Sequence, residues 1–135
     1  MIENTIADIE VIIGWWQTLE KDYGNINDID YSLQKLTGLN YFYSAEVSGL
    51  NKSYLFAYVR RRVGVARSEI KNYANHSQGK SATIALSENE ALYIDEVEKE
   101  ANFSEHRVRL SAISKVIDAM RQRISNLKNE QNARV

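Results

Sequence analysis

The chain of 135 residues contains no cysteine and no proline, and it has only six glycines. Without cysteine there is no disulfide, no thiolate metal ligand and no cysteine nucleophile. Proline normally makes up about 5% of residues, and it interrupts helices because it lacks a backbone N–H. Its absence permits long helices anywhere in the chain. A reducing cytoplasm is the compartment that fits the lack of cysteine best.

Long apolar runs are also missing, and so is a basic segment at the start. A membrane span needs about 20 apolar residues in succession, and no such stretch exists. The first ten residues hold Glu3, Asp8 and Glu10 but no lysine or arginine. We therefore expect neither a membrane-spanning helix nor a secretion signal.

Apolar residues recur at spacings of three and four, and no useful run of two-residue alternation is present. This periodicity predicts an all-α fold of long helices, arranged as an elongated helical hairpin or bundle that oligomerises. The length suits one domain. Within it we expect N-terminal helices in 1–38, a long basic helix in 39–75, a polar loop in 76–87, one or two C-terminal helices in 88–130 and a tail in 131–135.

The N-terminal helix is predicted from about Thr5 to Tyr23, with Gly24 ending it, and a brief second helix should stop near Gly38. Its apolar stripe consists of Ile2, Ile6, Ile9, Ile12, Ile13, Trp16 and Leu19. The long basic helix has an approximate stripe of Phe42, Ala45, Leu50, Tyr54, Tyr58, Val65 and Ile70.

The C-terminal helix is predicted to start at Ser87, where Ser-Glu-Asn-Glu forms a capping box, with a break near 102–104. Its later stripe follows a heptad rhythm through Leu110, Ile113, Ile117, Met120, Ile124 and Leu127. That rhythm is typical of helix pairing. The residues predicted to contact other subunits are Trp15, Trp16, Ile117, Met120 and Ile124.

The net charge of −1 conceals four segments of alternating sign. Residues 1–50 hold two basic and eight acidic residues, and 51–80 hold seven basic and one acidic. Residues 81–106 hold one basic and seven acidic residues, and 107–135 hold seven basic and two acidic. Such segregation suits self-assembly or the attraction of polyanions. Neutralisation between helices of one chain is an equal alternative.

The first basic segment combines cations with flanking tyrosines, a combination used to bind single-stranded nucleic acid through phosphate contacts and base stacking. The predicted nucleic-acid-binding residues are Arg60, Arg61, Arg62, Arg67, Lys71 and Lys80. The neighbouring rings are Tyr54, Tyr58 and Tyr73. The alternative is an ordinary solvated basic face with the tyrosines in the core.

Residues 74–81 satisfy a relaxed form of the phosphate-binding loop, with Ala74 in place of the first glycine and Gly79-Lys80-Ser81 at the end. That loop works only between a buried strand and a helix start. A charged helical segment precedes it here, so a nucleotide hydrolase is not expected. Lys80 remains a candidate phosphate contact.

No other pattern points to catalysis. His76 and His106 lie thirty positions apart without a metal-ligand spacing, and each is expected to be solvated or interfacial. The acidic residues of 88–100 are expected to form a solvated or partner-facing surface. We therefore predict that the protein is not an enzyme and that it binds neither a metal ion nor a cofactor.

Several short segments occur in an order that resembles phage recombination mediators of the UvsY type. The basic segment Val65-Ala66-Arg67-Ser68-Glu69-Ile70 is similar to the family's short DNA-binding motif, and a polar loop with Gly79 follows it. An acidic helix comes next. Then Val116-Ile117-Asp118-Ala119-Met120-Arg121-Gln122-Arg123 is similar to a second family segment. The resemblance covers about residues 60–128.

The resemblance implies a small helical protein that helps to load a RecA-like recombinase onto single-stranded DNA covered by single-strand binding protein. If a phage encodes the protein, it would lie in the cytoplasm of the host cell. Only Arg67 carries over from the DNA-binding motif, since Val65 stands where the family suggests a lysine. The first 50 residues have no counterpart.

Two functions are therefore expected from the sequence. The first is an oligomeric mediator that binds single-stranded DNA. The second is a helical assembly or adaptor protein, such as a phage morphogenesis component or a partner-binding inhibitor, whose charged segments contact only proteins.

Overall fold

The computed structural model describes residues 1–73 and 75–134. Two residues lie outside the described residues: Ala74, the first residue of the segment 74–81 compared with a phosphate-binding loop, and Val135, the last residue of the expected tail. The described chain is all-helical, and its four helices are α1 (Ile2–Thr18), α2 (Ile26–Asn72), α3 (Gln78–Glu88) and α4 (Glu90–Ala133). The all-α prediction is confirmed. None of the described helices is long and apolar enough to cross a membrane.

Helix α1 is offset from its predicted range, beginning at Ile2 and ending at Thr18. Thr5 does not cap it. Its hydroxyl donates within the helix to the Met1 carbonyl, 3.2 Å away, and also lies 3.1 Å from Glu46 Oε1. The backbone of Leu19, the first residue after the helix, is extended. Further on, Arg123 Nη2 donates to the Tyr23 carbonyl at 2.8 Å. The helix thus ends at Thr18, before the predicted stop at Gly24, and the contact from Arg123 holds the segment that follows it.

Helix α2 is one uninterrupted helix of 47 residues, so the predicted stop near Gly38 is wrong. A glycine inside a helix costs only about 1 kcal/mol relative to alanine. Leu36 and Tyr43 on either side of Gly38 are fully buried, and their burial outweighs that cost. No described glycine has a positive φ.

Helix α3 occupies most of the predicted polar loop. Ser77 caps it by accepting the backbone N–H of Lys80 at 3.3 Å, and the small residues Ser81 and Ala85 are fully buried. The predicted start at Ser87 is consequently wrong, because Ser87 still belongs to α3 and α4 begins at Glu90. Helix α4 then continues without a break through 102–104 and through most of the expected tail.

One domain was expected, and the chain divides into two compact units. Unit 1 comprises Met1–Glu46 and the chain from Arg107 onward, and unit 2 comprises Val47–His106. The core of unit 1 includes Ile9 and Ile12 from α1 and a buried stripe on α4. That stripe matches the predicted heptad positions Ile113, Ile117, Met120, Ile124 and Leu127.

The stripe predicted for the long basic helix is wrong at Phe42, Ala45 and Ile70, which are exposed. Phe42 and Ile70 are 62% and 71% exposed, whereas Tyr43, Val47 and Ala57 are buried. Leu50, Tyr54 and Tyr58 are half-buried. The physical reason is that α2 carries apolar residues on two faces, and the sequence stripe mixed the two.

Candidate nucleic-acid interface

A mostly buried ion pair joins α2 and α4 in unit 2. Arg61 Nε donates to Glu96 Oε2 at 2.6 Å, and Arg61 Nη2 donates to Glu96 Oε1 at 3.1 Å. The two side chains are 22% and 11% exposed. A two-pronged contact of this kind fixes both position and orientation. Arg61 therefore faces the interior, and its inclusion among the nucleic-acid-binding residues has to be corrected.

Aromatic rings enclose the same guanidinium. The Arg61 Cζ lies 5.2 Å from the ring centre of Tyr58 and 5.0 Å from that of Tyr93, both within the range of cation–π attraction. The hydrogen bonds to Glu96 raise the pKa of Arg61, and those from Arg61 lower the pKa of Glu96 below its ordinary value. Both groups are held in their charged forms.

A second polar contact joins α2 to Asn89, the residue between α3 and α4. Asn89 Nδ2 donates to Ser68 Oγ at 2.9 Å and to the Ala85 carbonyl at 2.8 Å. Asn89 thus joins the end of α3 to α2. The contacts Tyr54–Phe103 and Arg61–Glu96 pair rising numbers on α2 with falling numbers on α4, so the two helices run antiparallel in unit 2.

Gly64 packs directly against this polar contact. A Cβ at position 64 would lie 2.5 Å from Asn89 Oδ1 and 2.9 Å from Leu92 Cδ1. Because hydrogen bonds hold Asn89, we expect Gly64→Ala to lower the free energy of unfolding by about 1–2 kcal/mol, the steric cost exceeding the gain in helix propensity. Urea unfolding followed by circular dichroism measures the effect.

Gly49 is the matched control, since it lies within α2 and a Cβ there would meet nothing within 4 Å. We expect Gly49→Ala to raise the free energy of unfolding by about 0.5–1 kcal/mol. Equal stabilisation by both substitutions would contradict the close approach at Gly64.

Three exposed cations and one exposed aromatic ring form a row along one edge of α2. Phe56, Arg60, Arg67 and Lys71 are all exposed, and their spacings of four, seven and four residues align them on one side of the helix. We call these four residues the α2 row. Arg60 Nη2 lies 3.8 Å from Asp95 Oδ2, with 61% of the arginine side chain exposed. A surface contact of this kind is weak.

The remaining predicted cations lie outside the α2 row. Arg62 is exposed and donates to the Tyr58 hydroxyl at 2.9 Å, which draws it toward the other edge of α2. Lys80 is exposed in the first turn of α3 rather than on a loop. The structure thus aligns three of the six predicted residues and leaves two of them elsewhere on unit 2.

The predicted subunit contacts on α4 also require correction. Ile117, Met120 and Ile124 are between 0% and 8% exposed within a single chain, because they supply the core of unit 1. The tryptophans are half-buried. Trp15 meets Tyr23 edge-on at 6.3 Å, and Trp16 lines an open cleft.

Of the two histidines, His106 is buried, contrary to the expectation that each would be solvated or interfacial, whereas His76 is half-buried. Among residues 1–73 and 75–134 no group of three or more histidines and carboxylates is close enough together to hold a metal ion.

Sequence reasoning missed the inward face of unit 2, including Glu96, Tyr93 and Asn89. The inward residues of α2 there are Tyr54, Ala57, Arg61, Gly64 and Ser68. Their spacings of three and four residues were the available signal. Arg61 occupies a position of this repeat where an apolar residue would be expected, and Glu96 does the same on α4.

Comparison of the chain with protein-family models, with curated proteins and with solved structures finds no match.

Proposed function

We infer that this protein is a non-enzymatic, single-stranded-DNA-binding protein, and that the α2 row is its DNA-binding site. The observation that carries the proposal is the alignment of three exposed cations beside an exposed aromatic ring. Following the resemblance of the C-terminal half, the role is that of a recombination mediator acting with a RecA-like recombinase and single-strand binding protein.

The α2 row has the dimensions and chemistry of a short phosphate track. Arg60 and Lys71 are eleven residues apart, which corresponds to about 16 Å along a helix. Cations along such a track contact successive phosphates without reading sequence. Phe56 is 67% exposed and lies one turn before Arg60, where its ring can stack on an unpaired base.

The charge around the α2 row favours a polyanion. Between residues 47 and 72, α2 carries six basic residues and one acidic residue, Glu69. Arg61 is neutralised by Glu96, and the contact between Arg60 and Asp95 is largely exposed. Arg67 and Lys71 therefore project a positive field that phosphate can satisfy.

The second candidate is the helical assembly or adaptor protein without DNA binding. It is favoured by apolar side chains that unit 2 leaves exposed on both long helices, among them Val59 at 53% and Val97 at 62%. Absence of DNA binding at low salt would select this function.

Fluorescence anisotropy with a labelled oligothymidine at several salt concentrations tests the first candidate. With three phosphate contacts per subunit, the slope of log affinity against log salt should be about −2 per subunit. We expect Arg60→Ala with Arg67→Ala to reduce the slope to about −0.7 and to weaken all base sequences about equally.

A control variant with the same loss of charge is Lys115→Ala with Arg121→Ala, since both residues are exposed on α4 in unit 1. Its slope should equal that of the parent. Unchanged binding in the Arg60/Arg67 variant would move the site elsewhere, the next candidates being Arg107, Arg109, Arg121 and Arg123.

A further inference from the structure

Helix α2 carries an apolar seam on the side opposite its buried face in unit 2. The seam consists of Val59, Val63, Ala66 and Ile70, all of them exposed. Each lies two positions after an inward-facing residue, which corresponds to about 200° around a helix. Their spacings of four, three and four residues give the rhythm of a helix that packs against another helix.

Helix α4 carries a matching seam in the same unit. Ile94 and Val97 are 53% and 62% exposed, and Ala101 is also exposed. Ile94 and Ala101 lie two positions before the inward-facing Glu96 and Phe103. Both seams therefore point away from the core of unit 2.

The two seams lie in opposite electrostatic surroundings. Residues 47–72 of α2 hold six basic residues and one acidic residue, whereas residues 90–106 of α4 hold one basic residue and six acidic residues. Arg62 is exposed beside the α2 seam, and Glu98 and Glu105 are exposed beside the α4 seam. Two copies of one seam would repel each other, while the two different seams attract.

We propose that a second copy of this chain covers the exposed face, with the α2 seam of one copy packed against the α4 seam of the next. The contact is head-to-tail, because two different surfaces meet, and repetition gives a ring or a filament. Ile117, Met120 and Ile124 take no part in it. Arg62 and the α2 row lie on opposite edges of the α2 seam, so the row flanks the contact and is not part of the seam itself.

The head-to-tail contact predicts complementation between two defective variants, measured as mass by light scattering without DNA. Val59→Glu breaks the α2 seam and Val97→Glu breaks the α4 seam, and each alone should be monomeric. An equimolar mixture should form a dimer, since one intact seam of each kind remains. The mass of the parent assembly should exceed that of a dimer. The control variant Val11→Glu, at a 72% exposed position in unit 1, should have the same mass as the parent.

Three results would overturn the proposal: a parent that stays monomeric at all concentrations, mixed variants that stay monomeric, or a Val97→Glu variant that keeps the parent's mass. Circular dichroism checks that each variant is folded. Should Val59→Glu or Val97→Glu unfold, Ile70→Glu in the α2 seam and Ile94→Glu in the α4 seam supply a second pair of single variants. The monomeric variants should retain the salt slope per subunit, so failure of assembly and failure of DNA binding are separately visible.

Discussion

Replacing Met120 by alanine is expected to lower the free energy of unfolding by about 3 kcal/mol. Met120 is fully buried, and Ile113, Ile117 and Ile124 beside it on α4 are buried as well. Removing its side chain takes away apolar burial and leaves a cavity, which costs about 2–5 kcal/mol in comparable cores. Urea unfolding of the parent and variant, followed by circular dichroism, measures the loss.

Ser125→Ala is the control for this experiment, because Ser125 is an exposed position on the same helix. Its effect should remain within about 0.5 kcal/mol. A Met120→Ala variant of parental stability but reduced assembly mass would restore the sequence-based interpretation of Met120 as a subunit contact.

Replacing Glu96 by glutamine is expected to lower the free energy of unfolding by about 2–3 kcal/mol at neutral pH. The substitution leaves the Arg61 guanidinium without its counter-charge in a site where both side chains are mostly buried. Breaking a buried ion pair by removing one partner typically costs about 3–5 kcal/mol, and the residual exposure of Arg61 moderates the loss.

The pH dependence of this difference follows from the lowered pKa of Glu96. Arg61 lowers that pKa from its ordinary value of 4.5, so the stabilisation is fully present above pH 4.5. It is lost as the pH falls through the pKa of the folded state. The gap between parent and Glu96→Gln should therefore narrow below about pH 4.5, where protonated glutamate resembles glutamine.

A double variant distinguishes coupling from two independent losses. Arg61→Met with Glu96→Leu removes both charges and keeps apolar volume, so it should be much more stable than Glu96→Gln. A double variant no more stable than Glu96→Gln, or a stability gap between parent and Glu96→Gln that is constant between pH 3 and 7, would contradict a coupled pair.

The periodicity of the sequence predicted the helical class and the buried stripe of α4 because these depend on local spacing and on the absence of proline. Helix boundaries were less accurate. Helix α1 ends at Thr18, and Arg123 of α4 holds Tyr23 in the segment beyond it, whereas burial of Leu36 and Tyr43 carries α2 past Gly38. A contact between residues as far apart in sequence as Arg123 and Tyr23 cannot be read from local spacing.

The candidate site was predictable as a basic helix but not residue by residue. Arg60, Arg61 and Arg62 are consecutive, and only the position of the inward repeat decides which of them points to Glu96. With apolar residues on both faces of α2, two repeats competed for the same stretch of sequence. The contact with Glu96 on α4 identifies the repeat containing Arg61 as the one that faces inward.

Ultraviolet cross-linking of an iodouracil-containing single-stranded oligonucleotide, followed by mass spectrometry of the peptides, tests the central claim most directly. The α2 row predicts cross-links concentrated at Phe56, because its ring is exposed beside Arg60. They should disappear in the Arg60→Ala, Arg67→Ala variant. Cross-links confined to residues 107–134 would contradict the claim, as would a complete absence of cross-links at low salt.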